Sequence, residues 1–352
     1  MKRKIFWGFI LLIIVSALTL YFNCTKKSTR YEPTKGYYLY ASNTGGFPNS
    51  MIYVISTETD SLVDSISLGS YIEPGQLALS PNKRTLYVTV LVWDTSWNFT
   101  LTRYEIDTKT KAIKYIGPNS SPIISPDGKY LFDPGEVFRI FDAFSHQIIY
   151  EESTYFYPLC FDGRNHLVYG AAESGCKVFN YKNKVWVRTI NIPPYEAVLS
   201  PDGNILYYLY GTASAAYFGV YDLRADSVIA KYEINSPGEL AITPDGEYVY
   251  FTDPGGGGGC IQIEPPPTGK LGVFDTKTNT LLPSIDLSPL SDSLRAPPPL
   301  GPYFIRITPD GKKAYLTICL DRILVIDLVR NEPLKAIISP TSRNMNLTYI
   351  AL

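Results

Sequence analysis

Three charged residues stand where they could do chemistry together. Glu196 and Glu239 each lie five residues before a proline in two copies of one repeated phrase, and Arg306 lies three residues before the proline of a third copy. Two carboxylates beside a guanidinium can bind a cation or a polar small molecule, and they can perform acid/base work. Satisfied ion pairs on the wall of a wet channel are the alternative interpretation.

Other copies of the phrase carry polar or aromatic residues at the same or neighbouring positions, among them Ser121 and Tyr155. If the copies are equivalent units around an axis, these side chains meet at the mouth of a central channel. The candidate binding residues there are Gln76, Glu196, Glu239, Arg306, Tyr195 and Tyr303.

Further catalytic patterns are scarce. The chain has only two histidines, His146 and His166, and they fall in different repeat units. It contains no Gly-x-Ser-x-Gly motif, no Cys-x-x-Cys pair and no haem attachment motif. The sequence therefore has the signature of neither a metal centre nor a covalent nucleophile. No metal or cofactor is expected, and a non-enzymatic role is favoured.

The phrase that positions these residues recurs along most of the chain. "ITPDGEYVYFTD" begins at Ile242 and "ITPDGKKAYLTI" begins at Ile307, and similar copies begin at Leu79, Ile124, Leu199 and Cys160. The proline stands at positions 81, 126, 201, 244 and 309, with Phe161 as its stand-in in the degenerate copy. Most steps are near one period, which is the signature of a repeat architecture.

Each unit has an apolar run, a Pro-Asp-Gly turn, a Tyr-rich run, a β-branched run ending at Asp, and a polar turn before a last alternating run. These signals predict four short antiparallel strands per unit. Units of roughly 40 to 50 residues with four strands are typical of propeller blades. Seven units begin at Gly36, Gln76, Ser121, Pro158, Glu196, Glu239 and Phe304.

We therefore predict an all-β, seven-bladed β-propeller over residues 36–352. The first unit lacks its opening apolar run, whereas "NLTYIAL", from Asn346 to Leu352, is an apolar run without a turn after it. The C-terminal strand is expected to pair into the first blade and close the ring, because an unpaired sheet edge promotes aggregation.

The repeats also resemble a known family. "LSPNKRTLYVTV" followed by "YEIDTKTKAIKYI", with "GVFDTKTNTLLPSIDL" further on, is similar to the YVTN-type repeat of surface-layer-like, YncE-like and lactonase-like seven-bladed propellers. The resemblance covers essentially the whole chain after residue 35. It implies the fold but not one function, because that fold hosts binding proteins, scaffolds and enzymes.

Composition agrees with a large β domain. Among the 352 residues are 28 Tyr and 16 Phe but only 3 Met, a composition that favours strands over helices. Lys plus Arg number 32 and Asp plus Glu number 33, so the net charge is close to zero. No basic cluster indicates a nucleic-acid partner, and a monomer is expected.

The N-terminus has the pattern of an export signal. "MKRK" is followed by an uncharged run from Ile5 to Phe22, then by Cys24 and a polar tether over residues 25–35. Residues 1–24 are either a lipoprotein signal with Cys24 as the lipidation site or an uncleaved membrane anchor, since "YFNC" lacks the small residues of a typical lipobox. Either way the propeller is expected to be exported and membrane-anchored, periplasmic or at the cell surface.

Cys160 and Cys176 fall in one unit of a predicted exported domain. A disulfide between them is permitted in that compartment, but buried free thiols in strands are the favoured interpretation.

The insertions of the chain all fall on one predicted face of the propeller. They begin at Asn43, Leu91, Gly211, Pro254 and Ser288, whereas the opposite face carries the stereotyped turns. Irregular loops on a rigid scaffold are typical of a binding surface, although they also accumulate where drift is tolerated. Trp93, Trp97 and Phe99 are the candidate contact residues, since interfaces favour aromatic side chains.

The expected function is a tethered binding or scaffold module for a protein, glycan or small ligand, acting through this loop-rich face. Two alternatives remain: a lactonase-like hydrolase that uses the channel mouth, and an accessory subunit of a secreted redox or surface complex.

Overall fold

The computed structural model describes residues 36–44, 50–96, 98–118, 123–212, 215–235, 238–253, 269–287, 302–318, 322–338 and 346–351. Tyr38–Leu352 is one compact unit, and it holds every described strand. The predicted signal or anchor (1–24) and tether (25–35) lie outside the described residues. Within the described ranges, no helix is both long enough and apolar enough to span a bilayer.

Seven four-stranded antiparallel sheets form the seven blades of a β-propeller. The strands of the first four blades are β1 (Tyr38–Thr44), β2 (Ser50–Ser56) and β3 (Ser61–Gly69); β4 (Ile72–Leu79), β5 (Thr85–Trp93), β6 (Phe99–Asp107) and β7 (Ile113–Pro118); β8 (Ile123–Ile124), β9 (Tyr130–Asp133), β10 (Phe138–Asp142) and β11 (Ile148–Glu152); and β12 (Tyr157–Asp162), β13 (Leu167–Ala172), β14 (Gly175–Asn180) and β15 (Val185–Ile190).

The last three blades follow the same order of strands. They consist of β16 (Glu196–Leu199), β17 (Ile205–Gly211), β18 (Ala216–Asp222) and β19 (Ser227–Ile234); β20 (Leu240–Ile242), β21 (Tyr248–Asp253), β22 (Lys270–Asp275) and β23 (Thr280–Asp286); and β24 (Pro302–Ile307), β25 (Lys313–Ile318), β26 (Arg322–Asp327) and β27 (Glu332–Ile338). The all-β, seven-bladed architecture predicted from the repeats is confirmed.

The first blade combines strands from both ends of the domain. Its remaining strand, β28 (Asn346–Ala351), comes from the C-terminal end of the domain. It pairs antiparallel with β1, with Ala351 opposite Tyr40 and Asn346 opposite Thr44. The order in this sheet is β28-β1-β2-β3, so β28 takes the place that the first strand of a unit takes in every other blade.

The first strands of the blades lie around the axis. β28 contacts β4 on one side and β24 on the other, β4 contacts β8, and the contacts continue from β12 through β16 and β20 to β24. Apolar side chains fill the spaces between the blades. Between blades 6 and 7, for example, buried Leu271 and Val273 pack with Leu316 and Leu324.

The Pro-Asp-Gly phrase forms the turn between the first and second strands. In the fifth blade, Ser200 Oγ accepts a hydrogen bond from the N–H of Ile205 and donates one to Asp202. These side-chain bonds stabilise the turn. Consecutive turns also touch, because Pro201 packs against Gly246 of the next blade and Pro244 packs against Gly311. These glycines have positive φ, which a Cβ atom would oppose.

The fourth blade departs from the predicted alignment. Asp162 pairs with Leu167 across its turn, and the backbone bond from Tyr181 to His166 matches the bond from Leu223 to Asn204 in the fifth blade. Position 163, not Phe161, therefore stands where the other copies have proline. Phe161 takes the position of Leu199 in the fifth blade, and its partly buried ring packs against Phe132 with ring centroids 5.2 Å apart.

The turns between the third and fourth strands repeat in every blade. In each of them one non-glycine residue has positive φ: Asp60, Lys111, His146, Lys184, Asp226, Asn279 and Asn331. The Asp that ends most third strands accepts from N–H groups two and three residues on, as Asp275 does from Lys277 and Thr278. This side-chain bond explains why "DTKT" and its variants recur in the sequence.

Candidate functional site

A polar cavity of about 190 Å³ lies on the axis of the propeller. First strands of the blades, or the residues directly before them, supply its lining: Gln76, Leu77, Ile123, Tyr157, Pro158, Leu159, Glu196, Glu239, Phe304 and Arg306. Four of the six predicted channel-mouth residues thus line one cavity. Gln76, Glu196 and Glu239 share one repeat position and Arg306 lies two residues further along its strand, so the repeat brings all four to the same part of the axis.

Glu239 and Arg306 form an ion pair inside this cavity. Nη1 of Arg306 lies 2.8 Å from both carboxylate oxygens of Glu239 and also donates to the carbonyl of Ile305. The Arg306 side chain is 34% exposed and the Glu239 side chain is 17% exposed, and both line the cavity. Burial opposes the charge of Arg306, but the charge and hydrogen bonds of Glu239 outweigh burial and raise the pKa of Arg306, so the guanidinium stays protonated.

The backbone around Glu239 is held in place by its neighbours. The backbone N–H of Glu239 donates to Oγ1 of Thr252, and its carbonyl accepts from the N–H of Thr252. Its carboxylate also accepts from the backbone N–H of Ile305 at 2.7 Å. Glu239 therefore bridges the sixth and seventh blades, and its oxygens are already occupied by donors.

Arg306 keeps free donors on the other side of its guanidinium. A guanidinium has five N–H groups, two of them on Nη1. The protein bonds of Arg306 all come from Nη1, so Nε and Nη2 have no hydrogen-bond partner among the described residues. This Nε/Nη2 edge is the geometry that accepts a carboxylate or phosphate through two parallel bonds.

Glu196 lacks the cation that neutralises Glu239. Burial raises the pKa of Glu196 well above its ordinary value, and the nearby Glu239 raises it further, whereas Arg306 and the N–H of Ala197 act in the opposite sense. The two carboxyls thus differ in their surroundings: Glu239 has a cation partner, whereas burial shifts Glu196 toward its neutral form. Such a split between neighbouring carboxyls is found where an acid and a base are needed in one site.

The opposite side of the cavity is uncharged. The side-chain amide of Gln76 donates to the hydroxyl of Tyr157 at 3.4 Å, and Ile123 and Leu159 add apolar surface. Sequence reasoning missed Tyr157. The alignment of the fourth blade seen in the structure would have indicated this residue, because it makes Tyr157 equivalent to Tyr195 and Tyr303.

Tyr195 and Tyr303 are not among the cavity-lining residues. Tyr195 is exposed and its N–H bonds the carbonyl of Leu209, while the Tyr303 carbonyl accepts from Thr252. Both are therefore next to the cavity in sequence but do not line it. Ser121 lies outside the described residues.

The predicted contact residues of the loop-rich face lie on a long hairpin of the second blade. β5 and β6 remain paired up to Trp93 opposite Phe99, and the two rings are 5.1 Å apart between centroids. Phe99 is 57% exposed. Asp94 orders the connecting loop by accepting from the N–H groups of Ser96 and Asn98, and Trp97 lies outside the described residues.

Two of the predicted loop insertions are partly extensions of strands. The segment from Leu91 belongs to β5 and β6, and the segment from Gly211 continues β17 and β18, with Gly211 opposite Ala216. The prediction that these segments are irregular was wrong where Val, Trp, Tyr and Phe favour strand. The insertions from Pro254 and Ser288 fall almost entirely outside the described residues, and so does most of the one from Asn43.

A second cleft, of about 590 Å³, lies between blades 2 and 3 beside the Pro-Asp-Gly turns. Glu105 lies at its centre, 3.6 Å from Nε2 of His146 and 3.9 Å from Nζ of Lys114. Burial lowers the pKa of His146 despite the carboxylate, so its imidazole is neutral near pH 7. Sequence reasoning noted His146 as one of two histidines in different repeat units and did not foresee this cleft.

Cys160 and Cys176 are free thiols, as the favoured interpretation predicted. They lie on β12 and β14 with β13 between them, and two strand spacings of roughly 4.8 Å exceed the Cα separation that a disulfide spans. Burial raises the pKa of the Cys160 thiol, which makes it a poor nucleophile. Within the described ranges, no three His, Cys, Asp or Glu side chains are arranged to hold a metal ion.

Compared with protein-family models the chain matches none. No curated protein sequence matches it either. Its similarity to known proteins is therefore one of structure.

Several solved structures share the fold. Hydrazine synthase of Kuenenia stuttgartiensis aligns with a TM-score of 0.55 at 20% identity over 72% of this chain and 76% of its own. Dihydro-heme d1 dehydrogenase NirN in complex with DHE aligns with a TM-score of 0.56 at 15% identity over 88% of this chain and 66% of its own. A chain of the mitotic checkpoint complex aligns with a TM-score of 0.55 at 12% identity over 79% and 82%. At these identities the likeness defines the class, a seven-bladed β-propeller, and nothing about activity.

Proposed function

We propose that the protein is an exported, membrane-tethered propeller of the YVTN type that binds a partner through its loop-rich face. The observation that carries the proposal is the long β5–β6 hairpin, which has the exposed Phe99 ring beside Trp93 at the end of its paired strands. An aromatic pair on a rigid hairpin offers a large contact area at low entropic cost, as in hot spots of protein interfaces.

Sequence features support the remaining parts of the proposal. The basic start and apolar run over residues 1–24 support export, with anchoring through Cys24 or through the apolar run itself. The Pro-Asp-Gly and Asp-Thr-Lys-Thr phrases support the YVTN-type family. The pairing of β28 with β1 supports a ring closed by the C-terminal strand. The partner is a protein, a glycan or a small ligand, and the propeller acts as a monomer without nucleic acid or cofactor.

Photo-crosslinking tests the loop-rich face. A benzophenone amino acid replaces Phe99 in the full-length protein in its native cells, and a matched variant carries it at Phe144, which is 94% exposed in a turn on the other face. We expect a discrete cross-linked product from position 99 that is absent from position 144. Equal products from both positions, or none from position 99, would contradict the proposal.

A lactonase-like hydrolase is the second candidate function. The observation that favours it is the pair of axial carboxyls, with Glu196 as the acid and Glu239 as the ion-paired carboxylate next to Arg306. Against it, the carboxylate oxygens of Glu239 already accept hydrogen bonds from Arg306 and from the N–H of Ile305. Turnover of a lactone panel that Glu196→Gln abolishes would favour the enzyme over the binding module.

An accessory subunit of a secreted redox or surface complex is a third candidate. Two of the solved structures with this fold are named a synthase and a dehydrogenase. The identities of the aligned chains are too low to transfer a partner. The same cross-linking experiment tests this candidate, because the product from position 99 identifies the bound protein.

A further inference from the structure

We propose that the axial cavity binds a small organic carboxylate, held by the Nε/Nη2 edge of Arg306 and by the carboxyl group of Glu196. The lining of this cavity includes no residue of the β5–β6 hairpin, so the inference does not rest on the partner-binding role proposed above. It assigns a ligand class to a cavity for which sequence reasoning left cations, polar molecules and plain structural roles open.

The first support is the geometry of Arg306. Nη1 holds Glu239 and the Ile305 carbonyl, and these bonds fix the plane of the guanidinium. The three remaining N–H groups are unpaired among the described residues, although the side chain lines the cavity. An oriented guanidinium with an open fork recognises planar carboxylates through two parallel bonds, which a lysine could not reproduce.

The second support is the charge balance around Glu196. The titratable groups that face it are Glu239, Arg306, Cys160 and the adjacent Tyr195. Glu239 and Arg306 form an ion pair, and burial raises the pKa of both Glu196 and Cys160, which favours their protonated forms. A protonated Glu196 donates a hydrogen bond, so a bound carboxylate would meet donors from both residues rather than a second negative charge.

The third support is the size and lining of the cavity. Its volume of about 190 Å³ is below the ~300–1,000 Å³ of sites for drug-sized ligands, and it suits a small acid. Leu77, Ile123 and Leu159 lie on the side away from the charged pair and would contact a short alkyl chain. The amide of Gln76 adds a polar group at the rim.

A cation is the competing ligand, and pH separates the two. Carboxylate binding needs the neutral form of Glu196, so affinity should fall as pH rises through the raised pKa of Glu196. A cation would need Glu196 ionised, so its affinity should rise over the same range. The two hypotheses therefore predict opposite slopes.

The experiment is titration calorimetry on the full-length protein with acetate, propionate, acetamide and methylammonium between pH 5 and pH 8. We expect binding of acetate and propionate that weakens with pH, and no heat from acetamide or methylammonium. Arg306→Lys should weaken acetate at least about tenfold, because the fork is lost while a positive charge remains beside Glu239. Glu196→Gln should retain binding within about threefold and lose its pH dependence.

The control is Arg139→Lys, which changes an arginine paired with Glu151 far from the axis and should leave acetate affinity unchanged. If Arg306→Lys does not fold, the inference is tested by comparing how acetate affinity changes with pH in the wild type and in Glu196→Gln. Affinity for methylammonium that rises with pH would overturn the inference, and so would a folded protein that gives no heat with either acid. Cross-linking from position 99 should be the same in Arg306→Lys, so failure of this site is distinguishable from failure of the loop-face proposal.

Discussion

The repeated frame of the blades and the axial cavity are built from different positions of the same repeat unit. In the frame, the turn serine or threonine, the turn glycine and the buried Tyr of the second strand recur from blade to blade, as Tyr207, Tyr250 and Tyr315 show. In the cavity, one equivalent position holds Gln76, Pro158, Glu196, Glu239 and Phe304.

This difference separates what folds the protein from what distinguishes it. Frame residues contact each other in every blade, so each copy meets the same packing demand. Cavity residues face a shared void and are free to differ, and the charges gather on blades 5, 6 and 7 while blades 2, 3 and 4 stay uncharged. We expect frame changes to alter stability and cavity changes to alter binding.

The largest effect should come from removing β28, that is, residues 346–352. The deletion leaves β1 with an unpaired edge and removes the contacts of β28 with β4 and β24. The loss should approach the whole stability of the domain, on the order of 5 kcal/mol or more. Circular dichroism melts and size-exclusion chromatography should show no cooperative, monomeric fold, and a peptide of residues 346–352 should restore it. A truncated chain that melts like the wild type would refute the role of this pairing.

A smaller but still large effect is expected for Gly272→Ala. A Cβ atom on Gly272 would overlap the Phe251 ring on the neighbouring strand, so the ring or the strand must move. Such overpacking costs about 1–3 kcal/mol, measured by urea denaturation. Gly75→Ala is the matched control, because its nearest neighbour would be the Thr89 carbonyl at an ordinary 3.5 Å. Equal effects of the two changes would show that the contact does not matter.

Tyr315→Phe tests the links between blades. The buried Tyr315 hydroxyl bonds the carboxylate of Asp60 in the first blade, which also pairs with Lys313 at 2.8 Å. Losing this bond should cost about 1–2 kcal/mol in the free energy of unfolding. The third blade already has Phe132 at the equivalent position, so the fold tolerates the ring itself. Tyr115→Phe, at an exposed site, should change the unfolding free energy by less than about 0.5 kcal/mol.

The smallest effect should come from the cavity, and its sign should depend on pH. Because the pKa of Glu196 is raised by folding, its contribution to stability is present below its ordinary pKa and is lost as pH rises through the folded value. Glu196→Gln should therefore match the wild type near pH 4 and be more stable at pH 8, by on the order of 1 kcal/mol for each unit of raised pKa. Thermal melts at both pH values measure this difference. A variant that is less stable than the wild type at pH 8 would show that Glu196 stabilises the fold, as the repeated turn residues and second-strand tyrosines do.

Much of the fold was predictable because its signals are local. Turn glycines, aspartates at strand ends and alternating apolar residues each specify a strand or turn within a few positions, and seven copies reinforce the pattern. The fourth blade was misaligned because its turn has Gly163 where the other copies have proline, so the nearby Phe161 was taken for the equivalent residue. The contact of Phe161 with Phe132 comes from a neighbouring blade and is not visible in the local sequence.

The candidate site was predictable only in part. Repeat register was enough to bring Gln76, Glu196, Glu239 and Arg306 to one cavity. Tyr195 and Tyr303 are not among the residues that line this cavity, whereas Tyr157, which sequence reasoning did not name, is. Register sets the height of a residue along the axis, but the direction of a side chain at a strand entrance depends on the loop that delivers it.

The amino-acid sequence by itself determined the number of blades, the strand order within each and the residues that share a height around the axis, because those properties follow from period and turn chemistry. Only the tertiary structure decided which of the two glutamates pairs with Arg306. Glu239 lies on the adjacent blade and is held by the N–H of Ile305, whereas Glu196 is one blade further and is left in a confined cavity without a cation. Charge pairing depends on distance and desolvation in three dimensions, and no spacing along the chain encodes those quantities.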